Sequence, residues 1–415
     1  MTRRRLAGLA LAGVTALTAL SGCASSTGAA APVRSPDPDR GAQLVGTVQP
    51  VKLGSISAAD IGSAQTAFGL DLLARRCTAA PTANDVLSPA SASLALSMLD
   101  TGAVGSTRAA VNKLLHLPSW SPQLIAALHD EHQALTTLKQ LKVSNRLYSQ
   151  LGITPKQQVL DDLATAEGAG LQLLNFAREP GQATDAINQH VDADTKALIK
   201  KLFDTPLPSN TTTVLTNAIY LDAAWAAPFN PASDATFRTA SGSNVSVPLM
   251  SSQEDFGQYR TSGGWSSVTL PYTGGKLEAV VLMPSGPTAA PCAAVTPQQL
   301  TALTTGTSSQ ITVQMPKLDL SQTSHLTDEL AALGLPLSGD YSGFGSSGVV
   351  SDVVQKTVLQ VDERGTKAAA ATGIAMAASA HSPFTVDRPY LLLIRDTATG
   401  TPLFLARISD PTAVS

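Results

Sequence analysis

Residues 361–384, VDERGTKAAAATGIAMAASAHSPF, set a long stretch of small side chains between two runs that read as strands, KTVLQV before it and PYLLLIRD after it. Alanine is the best helix former and is depleted in strands, so its density here predicts helix at first sight. Between Thr366 and Ala380, however, the large apolar side chains are Ile374 and Met376, which leaves a helix no apolar stripe to dock against a core. The composition suits a segment that is an exposed loop in one state and a strand in another. In a strand, successive side chains point to opposite faces. Thr366, Ala368, Ala370, Thr372, Ile374, Met376 and Ala378 then fall on one face, and Lys367, Ala369, Ala371, Gly373 and Ala375 on the other. The first set is uncharged, and Lys367 lies on the second, where it can stay in water. Small side chains let such a segment slide between two existing strands, and Gly365 supplies torsional freedom at its entry.

A chain of 415 residues with 43% apolar content exceeds the usual single core, which predicts two or three domains or one large one. The 28 basic and 31 acidic residues leave a net charge of −3 with no long run of either sign, so no polyanion-binding footprint and no acidic tail is present.

The first residues read as a targeting segment. Arg3, Arg4 and Arg5 precede an uncharged apolar stretch over 6–20, the basic and apolar parts of an export signal, short for a membrane span. Leu20-Ser21-Gly22-Cys23 resembles the lipobox of bacterial lipoproteins, which implies cleavage before Cys23 and a lipid anchor on it. The competing reading is a secreted protein with a chance cysteine. Residues 1–22 are expected to be a lipoprotein signal peptide, 23–55, rich in Ala, Ser, Pro and Gly, a disordered tether, and 56–415 the globular domain. With Cys23 set aside, Cys77 and Cys292 remain, either as a disulfide favoured by an oxidising environment or as two separate thiols.

Helical patterns dominate the first half. AQTAFGLDLLARR from Ala64 puts Ala64, Phe68 and Leu72 on one face, and Ser88-Pro89 is an N-cap followed by proline at the first helical position. Thr154-Pro155-Lys156-Gln157 and Thr296-Pro297-Gln298-Gln299 have the capping-box pattern. Strand patterns dominate the second half: TTVLTNAIYLDAAW, KLEAVVLMP, ITVQMPKLDL with Ile311, Val313 and Met315 on one face, then TVLQV, PYLLLIRD and PLFLARISDP, the last two joined by a TATG hairpin. Helices first and antiparallel strands later is an α+β order.

Enzyme chemistry is not indicated. The sequence has no G-x-S-x-G elbow and no H-E-x-x-H helix. His129 and His132 in LHDEHQ are expected on a solvated helix face, so no metal and no cofactor is expected.

Four motifs, in order, carry a family resemblance. VDERGTKAAAAT resembles the serpin hinge, and NAIYLDAAWAAPF the serpin strand leading to the opening of the main sheet. NDVLSPASASLALSMLDTGAVGSTRAAVNKLL is similar to the early helices, and FTVDRPYLLLIRDTATGTPLFLARISDP to the C-terminal strands. The similarity spans about residues 56–412. It implies an α+β serpin fold, one large domain of three sheets and about nine helices with an exposed reactive loop. It also implies a suicide inhibitor: a serine protease cleaves the loop and is held as an acyl-enzyme while the loop inserts as a new strand.

Carried over by position, the resemblance makes Glu363, Gly365, Thr366, Ala368, Ala369, Ala370, Ala371 and Thr372 the hinge. It places the scissile bond at Ser379-Ala380, or at Ala378-Ser379. A small residue there suits the shallow primary pocket of elastase-like or subtilisin-like enzymes. Ser88, Ser91 and Asn217 fall where the family has polar residues beneath the opening point of the main sheet, and Trp225 falls at its top. Gln355 stands where many members have histidine, Lys367 replaces a common acidic residue and His190 a common tryptophan. The plainer reading of this group is a helix cap, a small helix residue, a buried amide and a core aromatic.

The partners so implied are a target serine protease, in a covalent complex, and a lipid bilayer at Cys23, for a monomer with no nucleic acid. The expected location is the outer face of the cytoplasmic membrane, or secretion. The competing readings are a non-inhibitory carrier and an inhibitor of a cysteine protease.

Overall fold

The computed structural model describes residues 42–252, 255–286, 292, 294–345, 349–366 and 383–413. In chain order these form β1 (Gln43–Leu44), α1 (Ala58–Ala79), β2 (Asp85–Leu87), α2 (Pro89–Gly102), α3 (Ser106–Leu114), α4 (Pro122–Thr136), β3 (Leu141–Gln150), α5 (Gln157–Glu167), β4 (Leu171–Leu174) and α6 (Pro180–Asp194). There follow β5 (Thr213–Leu221), β6 (Ala223–Ala224), β7 (Phe229–Arg238), β8 (Asn244–Ser252), β9 (Gly257–Ser262), β10 (Trp265–Pro271), β11 (Leu277–Pro284) and α7 (Pro297–Thr304). The last elements are β12 (Ser309–Ile311), β13 (Val313–Pro316), β14 (Leu318–His325), α8 (Thr327–Leu333), β15 (Val350–Asp362), β16 (Gly365–Thr366), β17 (Phe384–Thr385), β18 (Tyr390–Asp396) and β19 (Pro402–Ile408). The described residues thus hold eight α-helices and a short 3-10 turn at Ser342–Phe344, against the nine or so helices expected.

Local side-chain caps set four of the eight described α-helix starts. Ser88 caps α2 by accepting from Ser91 N–H, with Pro89 at the first position, and Thr296 and Gln299 close a capping box on α7. α1 begins earlier than Ala64, at a box made by Ser57 and Asp60. Thr154 does not cap α5, which starts at Gln157 with Lys156 as its N-cap. A tertiary contact overrides the motif: Lys156 N–H donates to Gly343 O, and Gly345 packs so closely that a Cβ there would lie 2.1 Å from Thr154 O.

Three sheets form. The main sheet has eight strands, ordered β1-β4-β3-β5-β15, with β14 paired to β15 and the short β16 and β6 at one end. A seven-stranded sheet runs β12-β9-β10-β11-β18-β19-β2, and a four-stranded one β17-β13-β8-β7. The expected single strand ITVQMPKLDL is divided among all three sheets, as β12, β13 and β14. Pro316, which has no N–H to continue a ladder, ends β13 and lets the chain change sheets. The strands are not all antiparallel: β3–β4, β5–β15 and β13–β17 are parallel pairs.

The outer face of the main sheet is covered by α6, whose Ile187 and Val191 pack on Tyr148 of β3, Val214 and Ala218 of β5 and Val354 of β15. The disordered tether expected through residue 55 is corrected over its last part. Gln43 and Leu44 extend the main sheet by pairing with Gln172 and Leu171. Thr47 N–H then donates to Asp161 Oδ1 at 2.8 Å, and Gln49 N–H to Thr165 Oγ1 at 2.9 Å on α5. The signal segment and Cys23 lie outside the described residues.

Candidate functional site

The site is a junction between two parallel strands. β5 and β15 pair directly from Thr213 opposite Val350 to Tyr220 opposite Val358. Beyond that point they separate. Val361 and Asp362 pair with Thr366 and Gly365 of β16, whose other edge pairs with Ala223 and Ala224 of β6, the continuation of β5. Two residues of the expected hinge therefore already stand as a wedge between the strands. The turn at 362–365 sets β16 antiparallel to both β15 and β6. A strand continuing that way would replace one parallel ladder by two antiparallel ones, the more stable pairing per residue.

The wedge is tightly held. A Cβ on Gly365 would lie 2.1 Å from Ala223 O, so only glycine lets β16 approach β6 this closely. Thr366 is 1% exposed, and its Oγ1 lies 2.6 Å from the Tyr272 hydroxyl. Burial pushes the Tyr272 phenol well above its ordinary range, so it stays a neutral hydroxyl. Trp225 stacks on Tyr272 with ring centroids 4.5 Å apart and donates from Nε1 to Asp362 O at 2.9 Å, tying the aromatic pair to the hairpin. Glu363 Oε1 takes Lys317 Nζ at 3.1 Å and Ala232 N–H at 3.1 Å. Burial opposes its ionisation, but the bond to its own backbone N–H, together with those from Lys317 and Ala232, outweighs it and holds the carboxyl below its usual value.

Below the wedge, Ser88, Ser91, Asn217 and Gln355 come together. Gln355 of β15 lies directly opposite Asn217 of β5 and donates from Nε2 to Asn217 Oδ1 at 2.7 Å and to Ser88 O at 3.0 Å. Its Oε1 accepts from Ser88 N–H at 2.9 Å. Asn217 Nδ2 donates to Ser91 Oγ and, at 2.7 Å, to Asn145 Oδ1 of β3, which also accepts from Ser91 Oγ at 2.8 Å. One polar cluster thus crosses β3, β5 and β15 and fastens them to the start of α2. Asn145 and Tyr272 were not among the sequence-derived site residues.

α6 is pinned over the same strands. Arg146 grips Asp194 through Nε at 2.7 Å and Nη2 at 2.9 Å, Ser144 Oγ donates to Asp194 at 2.6 Å, and His190 stacks on Tyr148. His129 and His132 do not occupy a solvated face. Both are half-buried against α5, where His129 Nδ1 bonds Thr165 O at 2.7 Å and His132 lies against Gly168. Among the described residues no group of three or more metal-ligating side chains forms.

Cys77 at the end of α1 and Cys292 are joined by a disulfide, with Cα atoms 5.7 Å apart. The remaining hinge positions, Ala368 to Ala371 and Thr372, and the bonds at Ala378, Ser379 and Ala380 lie outside the described residues.

The comparisons with known proteins agree with this geometry. A family model described as Serpin (serine protease inhibitor) matches residues 63–411. Leukocyte elastase inhibitor A of Mus musculus is 30% identical over 381 residues, covering 85% of this chain and 99% of its own length. An uncharacterized serpin-like protein of Methanosarcina mazei is 26% identical, over 87% of this chain and 90% of its own. Among solved structures, the thermophilic serpin tengpin in its native state superimposes with a TM-score of 0.78 at 23% identity, over 89% of this chain and all of that one. With the family match spanning the helices, all three sheets and the wedge between β5 and β15, the chain belongs to the serpin family.

Proposed function

We propose that the protein is a suicide inhibitor of serine endopeptidases whose reactive loop is cleaved at Ser379-Ala380, or at Ala378-Ser379. The protease remains esterified to the new carboxyl terminus while the loop enters the main sheet between β5 and β15. The observation that carries the reading is β16, an insertion already begun. Its register extends simply: Thr366 faces Val361 and Gly365 faces Asp362, so each further residue of the loop faces one residue earlier in β15. On that count Ala377 comes opposite Val350, the first residue of β15, and the cleaved bond lies just past the end of the sheet. The inward face continues from buried Thr366 through Ala368, Ala370 and Thr372, none of which brings a charge into the core.

The small residue at the cleaved bond favours proteases with a shallow primary pocket, elastase-like or subtilisin-like. The relatives named leukocyte elastase inhibitor support that preference. The signal-like residues 1–22 and the lipobox-like Cys23 support anchoring by lipid at the outer face of the cytoplasmic membrane, or shedding from it, and we take the inhibitor to act as a monomer.

The test mixes the purified protein with pancreatic-type elastase, subtilisin and trypsin, read on a denaturing gel with mass spectrometry of the released peptide. An adduct with elastase or subtilisin that survives boiling, and a peptide beginning at Ala380 or Ser379, are expected. Cleavage without adduct by every protease would overturn inhibition and favour a carrier role.

A further inference from the structure

The Cys77–Cys292 disulfide is asymmetric. Cys77 is 2% exposed at the end of α1, whereas Cys292 is exposed on the surface. The guanidinium of Arg407, on β19 and 3% exposed, lies against Cys77 Sγ, with Cys292 Sγ 4.0 Å from Nη1. Its other contacts are neutral: Nη1 donates to Pro81 O and Nη2 to Ala80 O, each at 2.8 Å. The acid facing it across the β19–β2 ladder is Asp85, whose carboxylate is gripped by Arg76 at 2.9 Å. Asp85 thus acts on Arg407 through space while its oxygens are bonded to Arg76 and Gln322, and the groups hydrogen-bonded to the Arg407 guanidinium are two carbonyls and the disulfide sulfurs, Cys77 Sγ the nearer, which places Cys77 Sγ to take up negative charge beside it.

We propose that Cys292 is a thiol-modification site, at which a small thiol exchanges with the disulfide and leaves Cys77 as a thiolate paired with Arg407. The incoming thiol loses its proton to solvent and its sulfur attacks Cys292 Sγ in line with the S–S bond. A new S–S bond forms at Cys292, and the electron pair of the old one departs on Cys77 Sγ. One disulfide is consumed and one is formed, with no net oxidation. Exposure selects the sulfur attacked, because Cys77 is closed off by α1 and Arg407. The buried cation selects the leaving group, because a sulfur whose thiolate is stabilised leaves faster. The reaction needs neither the reactive loop nor a protease, so it stands apart from the inhibitory function.

The experiment incubates the folded protein with reduced glutathione, quenches with N-ethylmaleimide and maps both cysteines by mass spectrometry. The expected product carries glutathione on Cys292 and maleimide on Cys77. Glutathione on Cys77, an even division between the two, or no reaction at a thiol concentration that converts the denatured chain would overturn the proposal. Arg407→Gln, compared in its folded form, is expected to slow the exchange about tenfold. An unchanged rate would remove Arg407 from the mechanism. Should that variant not fold, Arg407→Lys keeps the charge and is expected to keep the wild-type rate and site selectivity; loss of either would show that positive charge at this position does not select the leaving sulfur.

Discussion

Thr366 Oγ1 lies 2.6 Å from the hydroxyl of Tyr272, with both side chains 1% exposed. That contact fixes where the hinge enters the main sheet and which of its faces points inward. A charged side chain at Thr366 would be buried beside a neutral phenol with no counter-ion, at a cost of several kcal/mol. Thr366→Arg is therefore expected to be cleaved by elastase as a substrate, with little or no boiling-resistant adduct on the gel. If this variant still traps protease at the wild-type yield, insertion through β16 is wrong.

The polar cluster below the wedge closes the strands that insertion must part. Asn217→Ala removes the bonds to Gln355, Ser91 and Asn145 together and strands the partner amides inside the sheet. Each buried group left unpaired costs about 1–3 kcal/mol. The closed form is expected to lose stability by about that amount and to lose inhibitory activity faster on storage. Residual elastase inhibition followed over time at fixed temperature gives the comparison, and an unchanged half-life would mean that the cluster does not hold the sheet shut.

Acidity acts elsewhere, between α2, α4 and α5. Burial pushes Glu131 up to about 7, partly offset by the nearby Gln65 amide and the Thr401 hydroxyl, and Glu167 up to about 8, partly offset by Ser97. Both groups have an ordinary value of 4.5, so between about pH 4.5 and pH 8 the folded protein holds more protons than the unfolded chain. Their contribution is fully present below pH 4.5 and is lost as pH rises through 7 and 8. The unfolding free energy is expected to fall between about pH 5.5 and pH 8.5 by an amount on the order of a few kcal/mol, seen as a fall in the urea midpoint. Glu167→Gln should flatten the profile at its alkaline end, and a midpoint that rises over this window would reverse the assignment.

Features encoded within a few residues were legible in the sequence, and those made by distant partners were not. The Ser88 cap and the Thr296 box depend on their own neighbours, and each is found in place. The Thr154 box has the same local signature but yields to contacts from Gly343 and Gly345. Asn145 reaches Asn217 across 72 positions, and Tyr272 reaches Thr366 across 94. Neither residue has a local pattern that separates it from an ordinary strand residue. Likewise the alternation of Ile311, Val313 and Met315 is real, yet it cannot reveal that Pro316 and the turns around it share the run among three sheets.

Register gives the sharpest test of insertion. In the uncleaved protein Val358 faces Tyr220 of β5. Once the loop enters in the register set by Thr366 and Val361, Ala369 replaces Tyr220 as its neighbour. Directly opposed residues bring their Cβ atoms to about 4.5–5.5 Å, close enough for a disulfide after small adjustments. A Val358→Cys and Ala369→Cys double variant should therefore stay unlinked while intact and become cross-linked after elastase cleavage, as seen in a non-reducing peptide map. A slip of one residue would turn the residue 369 side chain to the opposite face and prevent the bond. Cleaved protein that remains unlinked under oxidising conditions would show that the loop does not follow the path begun by β16.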